Sequence, residues 1–116
     1  MSRELFSIEA EHGVLGAIMM DPTLFDEITS KVKSSHFHDL ENAALYQAIV
    51  DCHATGDPID AVTVGLFRPR LPSGDSTLAY AAEIAKNIPS AANWKAYARH
   101  VRERAVLRQV VQAADV

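Results

Sequence analysis

The sequence predicts an all-α fold, a compact bundle or orthogonal array of about six helices. Three observations predict this class. Apolar residues recur at helical spacing through most of the 116 residues, and no stretch shows the sustained alternation of a β-strand. Proline and glycine fall where they separate helices by short connections. Hydrophobic residues make up 48% and charged residues 22% of the chain, as is ordinary for one globular domain.

The first helix is predicted to begin after Ser7 and to run through Met20. A serine side chain at this position can accept a hydrogen bond from the free N–H groups of the first turn. The predicted core face comprises Ile8, Val14, Leu15, Ile18 and Met19. Gly13 and Gly16 lie toward one flank of the helix, which favours close packing against another helix of the same domain.

The second and third helices follow at once. Asp21 and Pro22 combine a cap with a first-turn proline, so a helix is predicted to about Val32. Its inner residues are Phe25, Ile28 and Val32. After the polar stretch 33–35, residues 36–39 lead into a third helix that ends at the Thr55-Gly56 pair. Its inner face comprises Leu45, Ala48, Ile49 and Cys52.

A shorter fourth helix and a fifth helix complete the middle of the chain. Asp57 to Asp60 is predicted to form a turn and then a cap, with Val62 and Leu66 facing inward. A loop rich in proline and glycine follows, and Asp75 or Ser76 begins the fifth helix. Its predicted inward residues are Leu78, Ala81, Ala82 and Ala85.

The last quarter of the chain, residues 90–116, predicts one long helix that opens at Ser90. Its apolar pattern changes face partway along. One stripe comprises Trp94, Tyr97, Ala98, Val101 and Ala105. A second stripe, on nearly the opposite side, comprises Leu107, Val110, Val111 and Ala114. A helix on a single core has no reason to change face, so we expect the second stripe to be an interface with something else.

Charge and cysteine content restrict the possible functions. The net charge of −4 argues against a protein whose main role is to bind phosphate backbones. The last 24 residues are nevertheless basic and the first 30 acidic, so the two ends could attract each other across copies, or both could be solvated helix faces. The single Cys52 excludes an internal disulfide and favours a reducing compartment. Neither a signal peptide nor an apolar run of membrane length occurs, which predicts a cytoplasmic protein.

The sequence contains no established motif for catalysis, cofactor binding or metal binding, so we predict no residues with these roles. His36, His38, Asp39 and Glu41 include metal-ligand residue types, but their spacing matches no established zinc signature. The neighbours Asp51, Cys52 and His53 diverge by about 100° per residue on a helix and cannot form a catalytic relay by themselves. No phosphate-binding glycine motif is present, so this chain alone should not hydrolyse nucleotides.

Several separated motifs together resemble the N-terminal domain of the DnaB-type replicative DNA helicases of bacteria and phages. They are Ser7 to Glu11 (SIEAE), Val14 to Ile18 (VLGAI), Asp21, Gly56 to Asp60 (GDPID), Asn87 to Asn93 (NIPSAAN), Tyr97, Val101 to Arg104 (VRER) and Arg108. Their order and number make the resemblance specific, and it runs from about residue 7 to the C-terminus. The chain departs from the family's usual pattern at Asn42, where a histidine is common, and at Ser76-Thr77, where two glycines are common.

The resemblance implies an all-helical collar module on a hexameric, ATP-driven helicase with 5′ to 3′ polarity. In that family the module pairs into dimers, three dimers form the ring, and primase is recruited. The whole chain, 1–116, would be this single domain, with about 106–116 starting the exit toward a linker hairpin. ATP and Mg²⁺ are expected only in a separate motor domain, which these residues do not contain. Primase, other copies and a helicase loader are the expected partners, with DNA reached through the parent helicase.

Two other functions remain open from the sequence. A free regulatory protein could retain this module and compete for primase or for helicase subunits. An unrelated small helical DNA-binding domain would instead show a salt-dependent affinity for DNA.

Overall fold

A computed structural model describes residues 7–114, and this part of the chain forms six α-helices and no strand. The helices are α1 (Ile8–Met20), α2 (Phe25–Lys31), α3 (Leu40–Ala54), α4 (Ala61–Phe67), α5 (Thr77–Asn87) and α6 (Trp94–Ala114). Single 3₁₀ turns at Pro22–Leu24 and Ala91–Asn93 lead into α2 and α6, and a third lies at Ser34–His36. The all-α prediction is confirmed. The predicted end of the last helix, at residues 115 and 116, lies outside the described residues.

Helix α1 is the centre of the domain, because it packs against α3, α5 and α6. Nine of its 13 residues are buried, so its buried surface extends beyond the single predicted face. Gly13 and Gly16 both make the close approach that their spacing indicates. The ring of Tyr97 on α6 lies over Gly13, where an added Cβ would be 2.5 Å from the ring.

Helix α3 buries the face that its spacing predicts, since Leu45, Ala48, Ile49 and Cys52 are all fully buried. Tyr46 lies beside them and is also buried. Its hydroxyl donates a 2.7 Å hydrogen bond to the backbone carbonyl of Val32, which joins α3 to the end of α2. Burial raises the pKa of Tyr46 far above its ordinary value.

Replacing Tyr46 by phenylalanine should change how stability depends on pH. The folded protein keeps this hydroxyl neutral, whereas the unfolded chain ionises it near pH 10. The contribution to stability is therefore complete below pH 10 and is lost as pH rises above it. At pH 7, Tyr46→Phe should lose about 1 kcal/mol with its hydrogen bond. Above pH 10 its stability should fall less steeply than that of the wild type in urea titrations; equal slopes would contradict this assignment.

Two inward positions predicted for α4 and two predicted for α5 are wrong. Val62 and Leu66 are exposed, as are Leu78 and Ala82, and α4 buries Val64 and Gly65 instead. The reason is a close approach of the two helices at Gly65, where an added Cβ would lie 2.9 Å from the Leu78 Cβ. Apolar spacing does not register a contact made through a glycine, so it assigned the wrong face. Ala81 is buried, as predicted.

Within the described residues, no helix is both long enough and apolar enough to span a membrane.

Candidate functional site: the outer face of the last helix

Helix α6 divides into two parts that bury different amounts of surface. In the first part, Trp94, Ala98, Val101 and Ala105 are buried and Tyr97 is half-buried, which confirms the first predicted stripe. Ser90 begins the turn into the helix by accepting a 3.0 Å hydrogen bond from the Ala92 N–H. After Ala105 the described helix runs nine further residues, about two and a half turns, without a buried residue.

The second predicted stripe is largely exposed. Val110 is 59% exposed, Val111 and Ala114 are also exposed, and Leu107 is half-buried. We call Leu107, Val110, Val111 and Ala114 the distal face. Most of its apolar area therefore faces solvent in a single copy. Its role as an interface remains a prediction.

Val106 is a residue that the sequence reasoning missed. It is 57% exposed and lines a groove with Arg99, Arg102 and Glu103. At about 100° per residue, positions 99, 102 and 106 share one side of a helix. We call Arg99, Arg102 and Val106 the outer stripe. The helical spacing of two arginines and a valine could have identified it, but Val106 belongs to neither of the two apolar stripes.

The start of the distal part is fixed to the turn at Ser34–His36. The Arg108 guanidinium donates a 2.7 Å hydrogen bond to the backbone carbonyl of His36. Partial burial lowers the pKa of His36, and the positive charges of Arg102, Lys33 and Arg108 add to this effect. These cations make the surface around the middle of α6 positive, although the whole chain has a net charge of −4.

Glu11 is the main polar residue of the interior. It belongs to the acidic first 30 residues, but it is 2% exposed and so is not part of a solvated helix face. Its carboxylate accepts hydrogen bonds from the N–H groups of His38 (2.7 Å) and Asp39 (3.3 Å) and from the Asn42 amide (2.9 Å). Glu11 lies one turn before Leu15 on the core side of α1, so its position relative to the apolar residues was the available signal.

The network around Glu11 continues to the surface. The Tyr80 hydroxyl donates a 2.5 Å hydrogen bond to the Asn42 Oδ1, and His12 Nε2 lies 3.2 Å from the same hydroxyl. Burial raises the pKa of Tyr80 to about 12, with Asp39, Glu41 and Glu11 adding to the effect. Asn42, which departs from the resembled family's usual histidine, thus connects α1, α3 and α5.

A cavity of about 450 Å³ lies between α1, α5 and the start of α6. Its apolar walls come from Gly13, Ile84, Ile88 and Tyr97, and Glu9 and Glu83 lie at its rim. Both of these carboxylates belong to exposed residues. The described residues that line the cavity include no lysine or arginine, so it suits an apolar group that carries a positive charge nearby.

The clusters considered for catalysis or metal binding have structural partners. Asp39 caps α3, and Glu41 accepts hydrogen bonds from Ser73. Cys52 is buried, and burial raises its pKa, whereas Asp51 pairs with Arg68 and His53 stacks on Phe25. Within residues 7–114, no group of three or more His, Cys, Asp or Glu side chains has the geometry to hold a metal ion.

Asp57 and Asp60 occupy the turn and cap positions that the sequence predicts. Asp57 accepts a hydrogen bond from the Thr55 hydroxyl, and Asp60 caps α4 through the Thr63 N–H.

The chain matches a family described as DnaB-like helicase N-terminal domain, over residues 3–103. Among curated proteins it is 33% identical over 111 residues to the replicative DNA helicase DnaB of Buchnera aphidicola, and 32% identical over 110 residues to the replicative DNA helicase DnaC of Bacillus subtilis. These alignments cover 94% and 93% of this chain but only 24% of either relative.

Solved structures give the same fold. The N-terminal domain of DnaB helicase from Mycobacterium tuberculosis matches with a TM-score of 0.87 and 28% identity, over 97% of this chain and 82% of that one. The N-terminal domain of DnaB helicase from Helicobacter pylori matches with a TM-score of 0.77 over 92% of this chain and 85% of that one. Its identity is 19%, so it shows the fold alone; that domain was described together with its interactions with primase.

Proposed function

Because this chain belongs to the family of DnaB-like helicase N-terminal domains, we propose that it acts as the non-catalytic collar domain of a hexameric replicative DNA helicase. It would hold subunits together and dock other replication proteins, while a separate motor domain uses ATP and Mg²⁺ to unwind DNA. This chain would bind no cofactor itself. A cytoplasmic location follows from a role in replicating the bacterial or phage chromosome. No observation favours the free regulatory protein.

The observation that carries the assembly proposal is the exposed distal face of α6. Burying an exposed valine or leucine contributes roughly 1.5–3 kcal/mol, so four neighbouring apolar residues on a regular helix can support pairing between copies. The start of the distal part is held in place by the buried first part of the helix and by the Arg108 bond to His36. We propose that this face pairs subunits into dimers and that three dimers form the ring.

Primase docking belongs to the same proposal. It is supported by the shared fold of the Helicobacter pylori domain, which was described with its interactions with primase. A helicase loader is a further expected partner. Calorimetry with the chain and the primase from the same genome should show saturable binding, and its absence with both the chain and the full-length helicase would contradict primase docking.

Replacing Leu107 and Val111 together by aspartate should weaken assembly and leave folding unchanged. The double variant should keep the far-ultraviolet circular dichroism spectrum and the melting temperature of the wild type, because neither residue is fully buried. In the full-length helicase it should weaken ring assembly by at least about tenfold, measured by sedimentation velocity, since it places two charges in an apolar contact.

A matched control is the pair Leu66→Asp and Val62→Asp, the same two residue types on α4. Leu66 is 78% and Val62 57% exposed. The control should assemble normally. Unfolding of the Leu107 and Val111 variant would place the distal face in the core, and normal assembly of that variant would remove its role in pairing.

A further inference from the structure

The cavity and the outer stripe have complementary chemistry on the same chain. The cavity has apolar walls, with Glu9 and Glu83 at its rim. The outer stripe presents Val106 next to Arg99 and Arg102. Neither rim carboxylate forms an ion pair within residues 7–114, and Arg99 makes only a 3.9 Å contact with Glu103, in which both side chains are more than half exposed. The rim of the cavity is therefore acidic, whereas the groove along the outer stripe holds two arginines against the single carboxylate of Glu103 and has a net positive charge.

The two surfaces cannot meet within one copy. Tyr97 forms a wall of the cavity, and Val106 lies nine residues further along the same helix. At about 100° per residue, nine residues amount to roughly 180° around the axis, so the cavity and the stripe lie on opposite sides of α6. A contact between them must join different copies and must be head-to-tail, the kind of contact that forms a ring when the rotation between copies closes.

We propose that the cavity of one copy receives the outer stripe of a second copy, with Val106 against the apolar walls and Arg99 and Arg102 facing Glu9 and Glu83. This interface deepens the proposed collar function and rests on it, because it assumes that copies assemble. This contact is separate from the distal face, which we propose pairs subunits into dimers. The occupant is a second copy because the chain itself carries both halves of the charge pattern.

Exchanging the charges tests the contact. One variant carries Glu9→Lys and Glu83→Lys, and another carries Arg99→Glu and Arg102→Glu; all four residues are exposed, so both variants should fold. When either variant is present alone, every head-to-tail contact places like charges opposite each other. Sedimentation velocity of the 116-residue chain at low salt should then show its dissociation constant for self-association raised by at least about tenfold.

An equimolar mixture of the two variants gives the decisive measurement. A contact between one copy of each variant again joins opposite charges. A contact between two copies of the same variant still places like charges together. The mixture should therefore associate in alternation, with a dissociation constant within about twofold of the wild type, the range in which separated effects add. Added salt should weaken association of the wild type and of the mixture alike.

Matched controls separate the proposed contact from general effects of charge. Val106→Asp should weaken association, whereas Val62→Asp should not, although both valines are 57% exposed. Arg70→Glu with Lys86→Glu changes the net charge as much as the stripe variant does, at two exposed cations outside both surfaces, and should leave association unchanged.

Several results would overturn the proposal: a mixture that stays as weak as its components, a wild-type chain that remains monomeric at low salt, or equal effects of Val62→Asp and Val106→Asp. The same variants in the full-length helicase distinguish failure of the proposed contact from failure of the collar function. Rings that form despite the charge changes would overturn this contact alone, whereas a wild-type helicase that forms no ring would contradict the collar function.

Discussion

Replacing Glu11 by alanine is expected to lower the free energy of unfolding by about 3–5 kcal/mol, because three N–H donors, one of them fully buried, lose a charged acceptor at once. The donors are the backbone N–H groups of His38 and Asp39 and the side-chain amide of Asn42. Asn42 is fully buried, so its amide has no water to replace the lost acceptor, whereas the bonds from His38 and Asp39 are only partly buried. Urea unfolding followed by circular dichroism measures the loss.

The control for Glu11 lies on the same helix. Glu9→Ala removes the same charge from an exposed position two residues earlier and should change stability by less than about 0.5 kcal/mol. Glu11→Gln should fall between the two, since its amide keeps one acceptor but points a donor at N–H groups. If Glu11→Ala were as mild as Glu9→Ala, the buried network would not be a main source of stability.

Replacing Gly16 by alanine is expected to cost about 2 kcal/mol, although alanine is the better helix former by about 1 kcal/mol. The added Cβ would lie 2.9 Å from Ile88 Cγ2 and 3.0 Å from Ile88 Cβ. Ile88 is buried and precedes Pro89, which restricts its backbone, so it cannot move aside easily. Thermal unfolding should show the lower stability directly.

A double-mutant cycle identifies the cause of that loss. Ile88→Ala removes two of the three atoms that the new Cβ would approach, so in the Gly16→Ala background it should cost at least about 0.5 kcal/mol less than in the wild type. Additive losses would show that the strain lies elsewhere. A net gain in stability from Gly16→Ala would show that helix propensity outweighs the close approach.

Helix starts were predictable because capping is local. Ser7, Asp21, Asp60, Ser76 and Ser90 each accept a hydrogen bond from an N–H two or three residues later. Such contacts depend on residues adjacent in sequence, so no knowledge of the fold is needed to place them. The inward faces of α1, α3 and the first part of α6 were predictable for a similar reason, since 13 or more residues establish a periodic pattern. The 11 residues of α5 were not enough, because Leu78 and Ala82 are exposed.

The short helix α4 shows where this reasoning fails. Seven residues make only two turns, and two faces can then fit the apolar residues about equally well. The choice between them was made by Gly65, which lets α4 approach α5 through the backbone near Leu78. A residue without a side chain contributes nothing to an apolar pattern.

The candidate site was only partly predictable. The change of face along α6 follows from spacing alone, which is why the distal face could be named from the sequence. The cavity could not, because its walls come from three helices, and residues such as Gly13 and Ile84 are distant in sequence. Val106 was passed over because it belongs to neither apolar stripe, and only the structure shows the groove that it lines with two arginines.

The sequence by itself determined where the helices begin, that the domain is all-α, and that the apolar pattern of the last helix changes face. These properties arise from contacts within a few residues and from the 3.6-residue repeat. Only the tertiary structure decided that Glu11 is a buried acceptor, that Val62 and Leu66 face solvent, and that a cavity with an acidic rim lies opposite a basic stripe. Those outcomes depend on which helices meet and how closely their backbones approach, and that is set by packing between residues far apart in the chain.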